Sequence, residues 1–384
     1  MQLISSTEAL AALCGRLAQS PYVAIDTEFV RDSTYWPKLC LVQLAADGVE
    51  GMVDPLAEGL DLAPLLTLLA DPGVVKVFHA ARQDVEIFFH MTGDIPAPLF
   101  DTQIAAMVCG FGESAAYDTL AREIAGAQID KSSRFTDWTR RPLSEKQLVY
   151  ALADVTHLRV IYKALRDRLD RSGRAGWLAE EMAVLTSPET YRVAPETAWK
   201  RLKLRTQNRR FLAIVVELAA WREREAQARD LPRNRILRDE AITEISASAP
   251  ASVADLSGLR AVPRGIAEGK QGKAILEAIA RAQAIPKGAL PEPPDPRGRA
   301  EAPAHVVELL KVLLRITAES EGVAGKLIAT SGDLEKLALD DEADIPALGG
   351  WRRQIFGARA IELKHGRLLL GLEDGRLFTE PRAR

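Results

Sequence analysis

Strand signals crowd the first 170 or so residues of this chain and vanish beyond about residue 200, so one sheet-forming part must be followed by a helical part. Tyr22 to Asp26, Leu39 to Ala45 and Gly51 to Asp54 are short β-rich runs parted by turn residues, the pattern of an antiparallel meander. Leu60 to Ala70 has helical spacing, Val74 to His79 is again strand-like, Gln83 to Met91 is helical, and Pro98 to Asp101 suggests a last strand. Pro142 and a capping box, in which Ser144 precedes Gln147 by three, open a long helix running to about Leu169. Three strands followed by alternating helix and strand predict an α/β domain with a mixed central sheet flanked by helices.

The second part reads differently. Phe211, Ile214, Val215 and Leu218 recur at three and four, as in an amphipathic helix, whereas Pro286, Pro291, Pro293, Pro294, Pro296 and Pro303 mark a linker. Beyond it, Val306 to Ile316 repeats the pattern of Phe211 to Trp221, and Gly332 to Leu339 that of Asp239 to Ile245, as in diverged copies of one helical module. The expected organisation is an α/β domain over 1–190, small all-α helical bundles over 205–285 and 304–384, and a linker over 286–303.

Bulk properties exclude several classes. The 384 residues, 47% hydrophobic and 27% charged, describe a folded multidomain protein. No apolar run approaches the roughly 20 residues of a membrane span, since Glu217 interrupts even Phe211 to Trp221. No secretory signal is evident, and the expected compartment is the cytoplasm. Cys14, Cys40 and Cys109 sit in apolar surroundings and read as buried thiols. A net charge of −3 looks unsuited to a polyanion partner, but Lys200, Arg201, Lys203, Arg205, Arg209 and Arg210 form a run without acids, followed by Arg233, Arg235 and Arg238.

Three segments carry chemistry. The apolar strand Val23-Ala24-Ile25 ends in Asp26-Thr27-Glu28, and the period of two sends both carboxylates to one face. Asp84 follows a buried strand and opens a helix, where an acid also stabilises the helix N-terminus. Tyr150 and Asp154, four apart on the long helix, share a face. Each segment alone also fits a solvated, capping or surface role.

Together, in this order, they resemble the three motifs of the exonuclease superfamily named for its Asp-Glu-Asp-Asp carboxylates, in the branch with Tyr four residues before the last Asp. The other branch has His five residues before it, where this chain has Val149. Ile25 to Val30 with Leu41-Val42-Gln43-Leu44, Phe78-His79-Ala80 with Asp84, and Asp137-Trp138 with Arg141-Pro142-Leu143 resemble the ribonuclease D family. The resemblance extends over nearly the whole chain and implies a ribonuclease H-like exonuclease domain followed by two HRDC modules. Leu231 to Leu237 with Asp239-Glu240 resembles the first module, and Leu348-Gly349-Gly350-Trp351-Arg352 marks a more diverged second one.

That resemblance implies Asp26, Glu28, Asp84 and Asp154 as metal ligands and, with Tyr150, as the catalytic group. Converging carboxylates repel unless cations neutralise them, and oxygen-only donors suit two Mg²⁺ or Mn²⁺ ions. A pair of ions activates water and stabilises the departing 3′-oxygen, releasing nucleoside 5′-monophosphates, with Tyr150 holding or deprotonating the water. Phe29 is a candidate to stack under a terminal base, and His79 to touch substrate. Arg140 and Arg141 are candidate phosphate clamps. Core packing for Phe29, a structural hydrogen bond for His79 and a solvated loop for the arginines remain open. The implied partner is RNA with a free 3′ end, tRNA precursors above all, with no membrane and a monomeric enzyme. The helical part is expected to supply affinity and to be separable near residue 200. A nucleotide-driven motor is excluded, because neither Gly265 to Gln271 nor Gly322 to Lys326 fits Gly-x4-Gly-Lys-Ser/Thr. A non-catalytic RNA scaffold and a DNA exonuclease are the alternatives.

Overall fold

Val23, Ala24 and Ile25 are fully buried because their strand lies inside a six-stranded sheet. The computed structural model describes residues 3–293 and 301–382 apart from 205 and 207; Arg205 of the basic run and Pro294 and Pro296 of the linker lie outside the described residues. The strands are β1 (Leu3–Ile4), β2 (Tyr22–Val30), β3 (Lys38–Ala46), β4 (Val49–Val53), β5 (Val75–Phe78) and β6 (Leu99–Asp101), in the order β1-β4-β3-β2-β5-β6. β3 pairs antiparallel with β4, whereas β1 runs parallel to β4 and β5 parallel to both β2 and β6, so the sheet is mixed. Neither β1 nor the first helix was foreseen; two residues are too few to show alternation.

Seven helices accompany the sheet: α1 (Thr7–Leu17), α2 (Ala63–Ala70), α3 (Arg82–Thr92), α4 (Thr102–Val108), α5 (Tyr117–Ala125), α6 (Glu145–Ser172) and α7 (Ala175–Leu185). α6 starts where its capping box predicts, with Ser144 accepting from the Gln147 amide and the Gln147 side chain reaching back, and it stops at Gly173, whose φ of 68° suits glycine. Ala151, Val155, Leu158, Tyr162, Leu165 and Leu169 form its buried stripe. Tyr150 and Asp154 lie one position to the side of that stripe.

The described residues fall into two compact units. One contains 1–28, 40–190 and 299–384; the other contains 29–39 and 191–298. The chain thus leaves the sheet unit after Glu28, spends eleven residues (Phe29–Leu39) in the helical unit, and returns at Cys40. Tyr35 shows why. It is 7% exposed in the core formed by Ile214, Leu218, Ile242 and Ile279. Its hydroxyl donates to the fully buried Glu223 and accepts from Arg233 at 2.8 Å and Gln227 at 3.2 Å. Asp230 Oδ1 accepts from the amides of Tyr35 and Trp36 at 3.0 and 2.9 Å.

The helical unit is built on Arg209–Ala228, Asp239–Ser248 and Lys270–Ala284. Much of the expected basic stripe is structural here. Arg210 donates to the carbonyls of Ala282, Gln283 and Ile285, ending the last of these helices, Arg209 reaches Leu290 and Pro291, and Arg233 is paired with Glu223. Orphan carbonyls at a helix C-terminus favour such cations. Lys200, Arg201, Lys203, Arg235 and Arg238 remain exposed.

The C-terminal segment has the same order of elements, a long helix (Ala304–Glu321), a four-residue helix (Gly325–Ile328) and a middle helix (Ser331–Leu339) before a last helix. Its Gly357 and Gly272 of the helical unit both sit where a Cβ would lie about 2 Å from a carbonyl oxygen, of Ala347 and Ala267 respectively. The Trp351-Arg352 signature is spent on packing in the sheet unit. Trp351 stacks on Trp177 of α7 at 4.3 Å, and Arg352 pairs with Glu181 and donates to Leu327 O at 2.7 Å. The segment also ends in a hairpin, Leu368–Glu373 with Arg376–Pro381, where only helices were expected. Asp374-Gly375, with φ of 47° and 75°, is the Asp-Gly turn that favours such a hairpin.

Separability near residue 200 is therefore corrected. A truncated chain would expose Tyr35 and Trp36 without their core and Trp177 without its stacking partner. Truncation is expected to give aggregated or non-cooperatively melting protein, checked by light scattering and thermal denaturation; a soluble, cooperatively folded 1–200 fragment would contradict it.

Candidate active site

β2 carries Asp26 and Glu28 to one face, and α6 supplies Asp154. Carboxylate oxygens of these three residues all lie within 4.8 Å of one another. Asp84 stands at the third position of α3, 8% exposed, and its Oδ1 accepts from the Thr27 hydroxyl in the same strand segment. It is outside the group of three, yet its charge raises the proton affinity of Asp26 and Glu28.

All four carboxyls are pushed up, first by burial. Glu28 rises to about 9, Asp84 and Asp154 each to about 7, and Asp26 well above the usual range. For Asp26 and Glu28 the next causes are the neighbouring carboxylates. Such a site resists holding four charges unless cations are present. Its donors are all oxygens, which fits Mg²⁺ or Mn²⁺ rather than a soft metal.

Tyr150 is half-buried, hydrogen-bonded to Asp154, and raised by burial and then by Asp154, Glu28 and Asp26. Its phenol keeps its proton at neutral pH, which favours holding the water over deprotonating it. Sequence reasoning missed two supports. Tyr117 of α5 donates to the backbone carbonyls of Ala153 and Asp154 and so braces α6 at its carboxylate. Asp101 at the end of β6 accepts from Ala80 N at 3.1 Å, Ala81 N at 2.8 Å and Gln103 N at 2.8 Å. It thereby fixes Ala80, at φ 58°, and the turn that leads into Asp84. The available signal was an Asp before a Thr where strand passes to helix, an N-cap pattern.

The substrate candidates divide. His79 Nδ1 is 3.0 Å from Thr102 Oγ1, whose own proton goes to Phe78 O, so the ring donates from Nδ1. Burial lowers it to about 4, so the ring is neutral, and it rests edge-on against Tyr117 at 5.4 Å. Phe29 is half-buried and belongs to the helical unit. Arg140 is exposed.

Arg141 is a correction. Nε and Nη2 clasp Asp54 at 2.7 and 2.6 Å, Nη2 also reaches Cys40 O at 2.7 Å, and Nη1 reaches Trp138 O and Arg140 O at 2.7 and 3.0 Å. A guanidinium has five N–H donors, so none is left for phosphate. Arg141→Ala is expected to lower stability by about 3 kcal/mol, because Asp54 would keep a buried, unpaired charge, while leaving kcat nearly unchanged at low temperature. Denaturant melts and kinetics at 15–20 °C would check this; a selective loss of RNA affinity would restore the clamp.

A mixed sheet that gathers half-buried carboxylates from β2 and α6 next to Tyr150 defines a phosphodiester-hydrolysing exonuclease. A family model described as 3′-5′ exonuclease matches residues 1–170, and one for the HRDC domain matches 211–279. Ribonuclease D of Gluconacetobacter diazotrophicus is 55% identical across 99% of this chain and 96% of its own length. That of Nitrobacter hamburgensis is 51% identical, with both chains covered in full (100%). The crystal structure of Escherichia coli RNase D, described as an exoribonuclease involved in structured RNA processing, superposes with a TM-score of 0.82 at 33% identity, covering 95% of this chain and 98% of that one. The chain belongs to the ribonuclease D family and is a 3′-to-5′ exoribonuclease.

Proposed function

We propose that Asp26, Glu28, Asp84 and Asp154 hold two divalent ions, Mg²⁺ or Mn²⁺, and that the enzyme trims 3′ extensions from structured RNA precursors, tRNA above all. The convergence of three carboxylate oxygens within 4.8 Å, in a setting that raises the proton affinity of each, carries the reading. Bound ions would supply Lewis-acid activation of water and stabilisation of the leaving 3′-oxygen. The residues do the rest. The Tyr150 hydroxyl orients the nucleophile beside Asp154, Tyr117 fixes the α6 backbone beneath it, and Asp101 sets the start of α3 so that Asp84 faces Thr27.

Affinity for long RNA is assigned to the helical unit. Arg235, Arg238 and Arg260 line an open groove of about 1260 Å³ there. Backbone contacts by such cations give salt-dependent, sequence-tolerant binding. We take the enzyme as monomeric and cytoplasmic; no helix among the described residues is long and apolar enough to cross a membrane.

The deciding experiment incubates the full chain with matched 5′-labelled RNA and DNA oligonucleotides and with a tRNA precursor, each with Mg²⁺, Mn²⁺ or EDTA. Stepwise shortening of RNA that stops in EDTA is expected, with the precursor trimmed to its mature end. Equal rates on DNA, or metal-independent shortening, would overturn it.

A further inference from the structure

We propose that Arg134 and Phe135 form a nucleotide subsite beside the carboxylates, Arg134 pairing with a backbone phosphate and Phe135 stacking on a base of the single-stranded 3′ end. This rests on the reading of the carboxylates as the reaction centre. Both residues lie in the crossing from α5 to α6, a segment fastened at each end. Lys131 pairs with Asp118 of α5 at 2.8 Å, and Asp130 accepts from Ser132 N at 2.9 Å. On the other side, Gln147 in the first turn of α6 donates to Thr136 Oγ1 at 3.1 Å, and Thr136 in turn donates to Ser133 O at 2.7 Å. Trp138 is 2% exposed, with its ring 6.2 Å from that of Tyr150.

Between these anchors the crown is left open. Phe135 is 91% exposed, and the Arg134 guanidinium lies 5.3 Å from its ring centroid. A single exposed Phe needs no explanation by itself. This one is presented by a loop tied to the first turn of α6, the helix that carries Tyr150 and Asp154, and it carries against its ring a cation whose charge reaches the carboxylate cluster. Arg134 donates its backbone N–H to Lys131 O at 3.2 Å, but its guanidinium makes no hydrogen bond or ion pair among the described residues, and its charge favours the ionised forms of both Glu28 and Asp154. It is within electrostatic reach of the cluster without being spent on it. A polyanion entering a cleft of carboxylates meets repulsion, and a free guanidinium at the rim offers a planar partner for phosphate. An exposed aromatic ring next to it suits a base of any identity, because every base has a π-face.

The test uses the full-length protein and a fluorescein-labelled single-stranded RNA of about ten nucleotides, with Ca²⁺ replacing Mg²⁺ for equilibrium binding. Arg134→Gln is expected to reduce the slope of log Kd against log salt by about 0.7, the share of one phosphate contact on a single strand. Phe135→Ala is expected to weaken binding by about 5- to 100-fold without changing that slope, and Phe135→Trp to restore it. In hydrolysis assays KM should rise more than kcat falls. Wild-type RNA binding by both variants would overturn the proposal. So would an Arg134→Gln variant that changes Mn²⁺ affinity, measured by EPR, but leaves RNA binding alone, since Arg134 would then serve the carboxylates. Retained turnover in Asp26→Asn would instead break the metal reading and leave the binding result standing.

Discussion

Asp26→Asn, Glu28→Gln, Asp84→Asn and Asp154→Asn are each expected to lower turnover by about 10³-fold or more while the protein stays folded. Losing a ligand removes the stabilisation of the leaving oxygen and of the attacking water, whereas the fold gains from relief of repulsion. The pH dependence follows from the raised carboxyls. Below about pH 3 these groups are protonated in both the folded and the unfolded chain and make no difference. As the pH climbs toward the folded values, about 7 for Asp84 and Asp154 and about 9 for Glu28, the unfolded chain ionises first and the metal-free fold loses stability. In EDTA the amide variants should therefore melt above the wild type by a margin that widens from pH 5, levelling off above about pH 7 for Asp84→Asn and Asp154→Asn and continuing to about pH 9 for Glu28→Gln. Mg²⁺ should reverse the order. A variant with near-normal turnover is not a ligand, and a margin that fails to grow with pH would show that repulsion is not what the metal relieves.

Tyr150→Phe is expected to slow turnover by about 10²- to 10⁴-fold with metal affinity and RNA binding nearly unchanged. The ring keeps its packing near Trp138, and only the hydroxyl bonded to Asp154 is lost. Because burial and three carboxylates hold the phenol protonated, the role proposed for it is to orient water, and on that proposal the pH–rate profile of the variant should keep the wild-type shape. Single-turnover kinetics across pH 6 to 9 with a Mn²⁺ titration would check both points. An ascending limb that disappears with the hydroxyl would make Tyr150 the base after all, and unchanged rates would leave the water to the metals alone.

What was legible in the sequence was local. The Ser144–Gln147 box announced α6, and the Asp-x-Glu ending of a strand announced paired carboxylates, because both depend on spacings of two to four residues. What escaped depends on partners far along the chain. Arg141 reads as a free cation until Asp54, 87 positions away, takes it up. Arg210 reads likewise until it meets Ala282 and Ile285, more than 70 positions on. Arg134 showed the reverse. Nothing in its local spacing marks it, and only the fastening of its segment to the start of α6 sets it apart.

The excursion of residues 29–39 into the helical unit also orders events during synthesis. Tyr35 bonds to Glu223, 188 positions later. At roughly 5 to 20 residues per second, that partner emerges from the ribosome about 10 to 40 s after Tyr35 does. Throughout that interval Tyr35 and Trp36 have no core to enter, although the strands on either side of them already exist. Neighbouring aromatic side chains held in the open are a target for chaperones and for self-association. The Tyr35-Trp36 pair is thus where the yield of this enzyme is expected to depend on the pace of its own translation.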